Sequence, residues 1–299
     1  MANETIGVFD SGIGGLTVLK ELVRFAPELN YCYFGDNEHA PYGNKSEEEI
    51  RARVRDTLNI FRAIGVSAAV LACNTATAVA IDPMRREFSF PMIGTEPAIA
   101  PAAKKYRKIL VLCTPATAKS GRIHRLAAAF AEREIRVAPV EELALAVERA
   151  ALYGEEKRVA LPDFSPEFVP ECVVLGCTHY AFVKEQISAF YGVESVSGES
   201  GVARRIRALF PRENPAKKGE KRGFEGGEKF DLGTNGNNPN KSLQNCEIRA
   251  KTDIMVQITP KSGVFFLGSS AKTNKNLFER MFGFHNIIIK MKFFSKKCP

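Results

Sequence analysis

The sequence predicts an α/β fold: two similar three-layer, parallel-sheet domains related by pseudo-twofold symmetry, with the functional site in the cleft between them. Three observations lead there. Short apolar runs alternate with segments of helical period, the pattern of parallel strands covered by helices on both faces. The phrase Val70-Leu71-Ala72-Cys73-Asn74-Thr75 returns as Val174-Leu175-Gly176-Cys177-Thr178-His179, 104 residues later. The turn at Asp10 recurs at Thr114 with the same offset. A duplicated unit presents matching turns to one cleft, and open α/β sheets bind ligands outside the carboxyl ends of their strands.

In chain order, Ile6–Phe9 is the first strand and Asp10-Ser11-Gly12-Ile13-Gly14-Gly15 the turn after it. A helix follows from about Leu16 to Phe25, with Leu16, Leu19, Leu22 and Val23 on one face. The glycines lack the Gly-Lys of a phosphate loop, and Thr17 stands where a dinucleotide fingerprint needs its third glycine. The turn is instead expected to bring Asp10, Ser11 and backbone N–H groups close to a small anionic ligand. Tyr31–Phe34 is the second strand. The loop Pro41-Tyr42-Gly43 follows, either as a plain turn or as a source of backbone donors for a carboxylate. Ser46 and Glu49 form a capping box for a helix to about Ile64. The strand Val66–Leu71 then delivers Cys73, and a helix is expected over Thr77–Phe88.

The second unit starts at about Pro97. Lys108–Leu112 is its first strand, Cys113 to Gly121 its polar turn with Thr114 and Thr117, and a helix runs through His124 to about Glu134. Ile135–Val137 with Val140 gives a strand ending at Glu141-Glu142, and Cys172–Leu175 leads into Cys177. The expected domains are 1–96 plus 205–299, and 97–204. Within the first, residues 213–241 are rich in Gly, Asn, Lys and Glu without a period and are expected to be a flexible insertion. Apolar order resumes at Val264–Leu267 and in a helix over Lys272–Phe282.

Composition narrows the class. With 299 residues, 45% hydrophobic and 25% charged, the chain suits a two-domain globular protein. No run approaches the ~18 apolar residues of a membrane span, and the N-terminus has no signal-peptide pattern, so a cytoplasmic protein without a membrane partner is expected. Seven cysteines without a regular framework fit a reducing compartment. The net charge of +8 resides wholly in residues 213–299, which carry 16 Lys+Arg against 8 Asp+Glu, while residues 1–212 are balanced at 26 each. That asymmetry keeps one non-enzymatic alternative open, a protein contacting nucleic acid through its basic C-terminal third, although the neutral bulk disfavours nucleic acid as a partner.

Cys32, Cys113 and Cys172 lie in or beside apolar runs and read as packing residues. Cys73 and Cys177 differ, because Asn74-Thr75 and Thr178-His179 follow them directly. Two thiols facing one ligand suit removal of a proton from one face of a carbon and its return to the other. A helix N-terminus and polar neighbours can tune such thiols. Asp10 and Glu141 are carboxylates at strand ends, and His179 is two residues past Cys177. A zinc site of Cys73, Cys177 and His179 matches no common ligand spacing, and the Cys-x-x-Cys of a redox dithiol is missing.

In this order, Asp10 to Gly15, Gly35-Asp36, Pro41-Tyr42-Gly43, Ala72 to Thr75 and Gly176-Cys177-Thr178-His179-Tyr180 closely resemble the glutamate racemases of the aspartate/glutamate racemase superfamily. The resemblance covers roughly residues 5–210, and Gly263–Phe282 resembles the closing strand and helix more weakly. It implies a cofactor-independent, metal-free isomerase that interconverts L- and D-glutamate and supplies D-glutamate for peptidoglycan synthesis. By that resemblance Cys73 takes the α-proton of D-glutamate with help from Asp10. Cys177 takes that of L-glutamate with help from Glu141 and His179, Glu142 being the neighbouring alternative to Glu141. Substrate is implied to rest on Asp10, Ser11, Tyr42, Gly43, Asn74, Thr75, Thr178 and His179, with Thr114 and Thr117 in the cleft. Aspartate is the alternative substrate, and a homodimer is one assembly left open.

Overall fold

The computed structural model describes residues 4–155, 158–164, 166–211, 248–249, 255–256 and 264–267. Its first half runs β1 (Thr5–Asp10), α1 (Gly15–Phe25), β2 (Asn30–Gly35), α2 (Glu47–Ala63), β3 (Ala68–Leu71), α3 (Asn74–Glu87) and β4 (Met92–Gly94). The second half repeats the theme. It comprises α4 (Ile99–Ala103), β5 (Lys108–Cys113), α5 (Pro115–Lys119), α6 (Gly121–Ala128), β6 (Glu134–Pro139), α7 (Leu143–Tyr153), β7 (Cys172–Gly176), α8 (Lys184–Tyr191), β8 (Glu194–Val196) and α9 (Glu199–Leu209). Short 3₁₀ turns cover Asn37–His39, Tyr42–Asn44 and Thr178–Val183.

The duplication inferred from the two cysteine phrases is visible in the strand order. One sheet reads β2-β1-β3-β4 and the other β6-β5-β7-β8, all parallel. Beyond these, β9 (Ile248–Arg249) and β10 (Met255–Val256) form an antiparallel pair. The strand β11 (Val264–Leu267) adds to the first sheet, parallel to β2.

Strand period sets the layers. Ile6, Val8, Val70 and Ala72 point to one side of the first sheet and pack with Leu16, Leu19 and Leu22 of α1 and Val202, Ala203 and Ile206 of α9. Phe9, Ala69 and Leu71 point to the other side, against Ile50, Val54 and Leu58 of α2 and Ala80 and Met84 of α3. In the second sheet Leu110, Leu112, Val173 and Leu175 meet Leu143 and Val147 of α7, while Ile109, Val111 and Val174 meet α4 and α6. Helix α9 shares the core of α1, and the expected boundary at 204 falls inside this helix.

Most expected elements lie where the sequence places them, and the departures have local causes. The helix expected from Thr77 begins at Asn74, because the Cys73 sulfur itself caps it by accepting a hydrogen bond from the Ala76 N–H at 3.4 Å. The expected polar turn Cys113–Gly121 holds a short helix, α5, which ends at the extended backbone of Ser120; the Ser120 hydroxyl then caps α6, and α6 stops at Ala128, short of the expected Glu134. Ser46 accepts from the Glu49 N–H at 3.2 Å, one half of the expected capping box, while the Glu49 carboxylate pairs with Lys45 and Arg53. The expected flexible insertion at 213–241 and the helix at Lys272–Phe282 fall outside the described residues. Among the described residues no helix is long and apolar enough to cross a membrane.

Candidate active site

The carboxyl ends of β1, β3, β5 and β7 converge on one polar cluster buried between the two sheets. Asp10 closes β1 and is fully buried. Its Oδ1 accepts from the Gly12 N–H at 2.8 Å, and its Oδ2 accepts from the Thr178 hydroxyl of the other domain at 3.2 Å. Burial raises its pKa to about 6 against the opposing pull of His179.

Cys73 lies at the N-terminus of α3, where its sulfur accepts from the Ser11 hydroxyl and from the Ala76 N–H, both at 3.4 Å. Helix N-termini favour a thiolate, yet burial, followed by the charge of Asp10, pushes this thiol up to about 12. At rest it therefore carries its proton. Cys177 lies close enough for its charge to add to that upward push on Cys73.

The neighbourhood of Cys177 is built differently. No helix cap touches its sulfur, because a 3₁₀ turn follows it rather than an α-helix. That turn folds His179 back, placing Nδ1 3.8 Å from the sulfur. The other ring nitrogen, Nε2, is 2.5 Å from Oε2 of Glu148, and both residues are buried. Burial alone would lower the His179 pKa, but the contacts with Cys177 and Glu148 outweigh it and hold the pKa well above the usual value.

The carboxylate that the structure places beside His179 is Glu148, not Glu141. Glu141 and Glu142 are exposed on the turn before α7, whereas α7 carries Glu148 one turn past Ala144 on its buried face. Sequence reasoning missed this residue because it follows no strand end. The available signal was a lone glutamate among Leu143, Ala144 and Val147 on the apolar face of a helix, a place where an unpaired carboxylate is costly.

The glycine turn also serves contacts within the protein. The N–H groups of Gly12 and Ile13 are taken by the protein's own carboxylates, the latter by Glu148 Oε2 at 3.1 Å. What Gly12 and Gly14 provide is room. A Cβ on Gly12 would lie 2.6 Å from Glu148 Oε2, and one on Gly14 would lie 2.4 Å from Thr178 Oγ1 and 2.7 Å from His179 Nδ1. Their bare backbone lets the polar groups of the second domain dock onto the first. The Tyr33 hydroxyl steadies the turn by donating to the Gly12 carbonyl at 2.7 Å.

The remaining expected residues gather at the same interface. Thr75 Oγ1 lies 2.9 Å from Thr114 Oγ1 and 3.3 Å from Thr117 Oγ1, and Thr114 and Thr117 are 3.1 Å apart, so three buried hydroxyls from both domains form a triangle. Asn74 donates to the Thr95 carbonyl at 3.3 Å. The Pro41-Tyr42-Gly43 turn, entered through a cis Ala40–Pro41 bond, packs against Thr114; a Cβ on Gly43 would be 3.1 Å from Thr114 Cβ. Tyr42 is fixed by donating to Asp36 Oδ2 at 2.6 Å. Cys32, Cys113 and Cys172 are buried in the sheets, like Cys73 and Cys177 in being free.

Comparison with known proteins converges on one group. Residues 6–203 match the family model described as Asp/Glu/Hydantoin racemase. A glutamate racemase of Clostridium perfringens is 36% identical over 232 residues, covering 75% of this chain and 89% of that protein. One of Leptospira interrogans is 39% identical over 215 residues, covering 67% and 80%. Among solved structures, Escherichia coli glutamate racemase in complex with L-glutamate and the activator UDP-MurNAc-Ala has a TM-score of 0.69 at 26% identity, covering 98% of this chain and 100% of that one. Glutamate racemase from Aquifex pyrophilus has a TM-score of 0.59 at 33% identity, covering 69% and 84%.

Proposed function

The chain belongs to the Asp/Glu/hydantoin racemase family, and from that premise we propose that it is an amino-acid racemase interconverting L- and D-glutamate, with Cys73 and Cys177 as its two acid/base groups. The observation that carries the reading is the pair of thiols at matching strand ends, each with its own set of polar supports. One cysteine, as thiolate, takes the α-proton. The C–H electron pair passes to the α-carbon and into the adjacent carboxylate. The other cysteine, as thiol, gives its proton to the opposite face. The enantiomer leaves with the two sulfurs in exchanged protonation states, so no further reactant is consumed.

The resting states fit these roles unequally. Cys73, with its pKa raised to about 12, is suited to donate, and its deprotonated form draws on the hydrogen bonds from Ser11 and Ala76. Asp10 is positioned to take part in that proton traffic, while His179, backed by Glu148, stands beside Cys177. We assign Cys73 to D-glutamate and Cys177 to L-glutamate. Thr75, Thr114, Thr117, Thr178, Asn74 and the Tyr42-Gly43 turn are the groups we assign to binding the substrate carboxylates and amine. D-Glutamate is the product that peptidoglycan synthesis draws on. The free, buried cysteines are in keeping with a reducing cytoplasm.

Nothing in the comparisons favours aspartate as the substrate or a nucleic-acid-binding role. Assaying the purified chain with each enantiomer of glutamate and of aspartate tests the reading. It predicts racemisation of glutamate in both directions, and turnover confined to aspartate would overturn it.

A further inference from the structure

We infer that Asn37 is a positioning residue for this racemisation, one that holds the Glu148 carboxylate against His179 from across the domain interface. The inference rests on the glutamate racemase reading and extends it to a residue outside the matching motifs.

Glu148 belongs to the second domain, yet two of its hydrogen-bond donors come from the first. Asn37 Nδ2 donates to Oε1 at 3.0 Å, and the Ile13 N–H donates to Oε2 at 3.1 Å. Oε2 is also the atom that meets His179 Nε2 at 2.5 Å. The carboxylate is therefore gripped at both oxygens, and the grip at Oε1 is a side chain. Its surroundings are tight, since a Cβ on Gly12 would approach Oε1 and Oε2 to 2.7 and 2.6 Å. A buried carboxylate that loses a donor bears the cost of the unmet acceptor. It can also rotate, and rotation takes Oε2 away from the imidazole.

The placement of Asn37 is itself fixed by the site. It opens the 3₁₀ turn directly after Asp36, whose N–H donates to the Asp10 carbonyl at 3.0 Å. One strand end thus supplies Asp10 to the Cys73 side, while the neighbouring turn supplies the Asn37 amide to the Cys177 side. Asn37 acts on the reaction through Glu148 and His179, so its influence falls on proton transfer at Cys177 and not at Cys73. Because Asn37 and Glu148 sit on different domains, the bond also links the orientation of His179 to the packing of the two halves.

Asn37→Leu removes the donor while keeping the approximate bulk, and Asn37→Ala removes it while adding no charge beside Glu148. The test measures kcat and the primary isotope effect with 2-deuterated L-glutamate and 2-deuterated D-glutamate, together with a thermal melt. The expected result is a fall in kcat of about 10-fold to 100-fold in both variants, with melting close to wild type for Asn37→Ala. The isotope effect is expected to rise for L-glutamate, where Cys177 removes the proton, and to fall for D-glutamate, where Cys73 does. Unchanged kcat, or an equal loss with unmoved isotope effects for both enantiomers, would overturn the inference alone. A wild-type protein that racemises neither enantiomer would overturn the parent reading and this inference with it.

Discussion

The Cys73 and Cys177 neighbourhoods descend from one repeated strand end, and they differ in what surrounds the sulfur. Cys73 caps a full α-helix and is touched by a hydroxyl and a backbone N–H. Cys177 precedes a 3₁₀ turn and is served by an imidazole that is in turn held by a buried carboxylate. The strand order β2-β1-β3-β4 and its counterpart β6-β5-β7-β8 remain alike. The shared scaffold brings both thiols to the same buried cluster.

The largest effects should come from the sulfurs themselves. Cys73→Ser and Cys177→Ser are each expected to lower kcat by about 1,000-fold or more, since a hydroxyl is a far weaker acid than a thiol and its anionic, proton-accepting form is almost unpopulated. Full activity in either variant, measured by circular dichroism of the racemising solution, would remove that cysteine from the pair. Next in size is the dyad. Glu148→Gln should cost about 100-fold in kcat, whereas Glu141→Gln should remain within about twofold, because an exposed turn residue has no partner in the cluster to lose. The reverse order would restore the carboxylate that the strand pattern suggested.

The two halves should also separate by pH. Asp10 titrates at about 6 in the folded protein and is anionic above that value. Lowering the pH through about 6 protonates it and removes its capacity to take part in proton traffic at Cys73, so kcat/KM should fall on that acid limb. Asp10→Asn should leave a low, flatter profile, and an acid limb that persists in the variant would assign it to another group. The smallest effect expected is structural. Gly14→Ala forces a methyl group against Thr178 and His179 and should cost about 1–3 kcal/mol of stability by denaturant unfolding, with the Cys177 half misaligned before the Cys73 half. A variant as stable as wild type would show that the domain interface has slack at this point.

How much of this was legible in the sequence follows from which interactions are local. Strand ends, the capping box at Ser46 and the repeated cysteine phrase are short-range patterns, so the two sheets and the residues Asp10, Ser11, Cys73, Thr75, Thr114, Thr117, Cys177 and His179 could be placed at one cleft. Glu148 could not. It reaches the cluster from the middle of a helix, 31 residues before its imidazole partner and 135 after the backbone N–H that holds it. The purpose of Gly12 and Gly14 was hidden for the same reason, since the groups that press against them come from the other domain. The expected boundary at 204 likewise cut helix α9 in two, and only its packing on α1 shows that the whole helix lies with the first sheet.

Racemisation in heavy water tests most directly whether two opposed thiols do the work. Starting from L-glutamate, the α-proton should be lost to one sulfur and a solvent-derived deuteron delivered by the other. At low conversion, mass spectrometry of the separated enantiomers should therefore find deuterium in the D-glutamate formed and almost none in the L-glutamate remaining, with the mirror result from D-glutamate. Deuterium entering the remaining substrate as fast as the product, or a product that keeps the original proton, would contradict the two-thiol account.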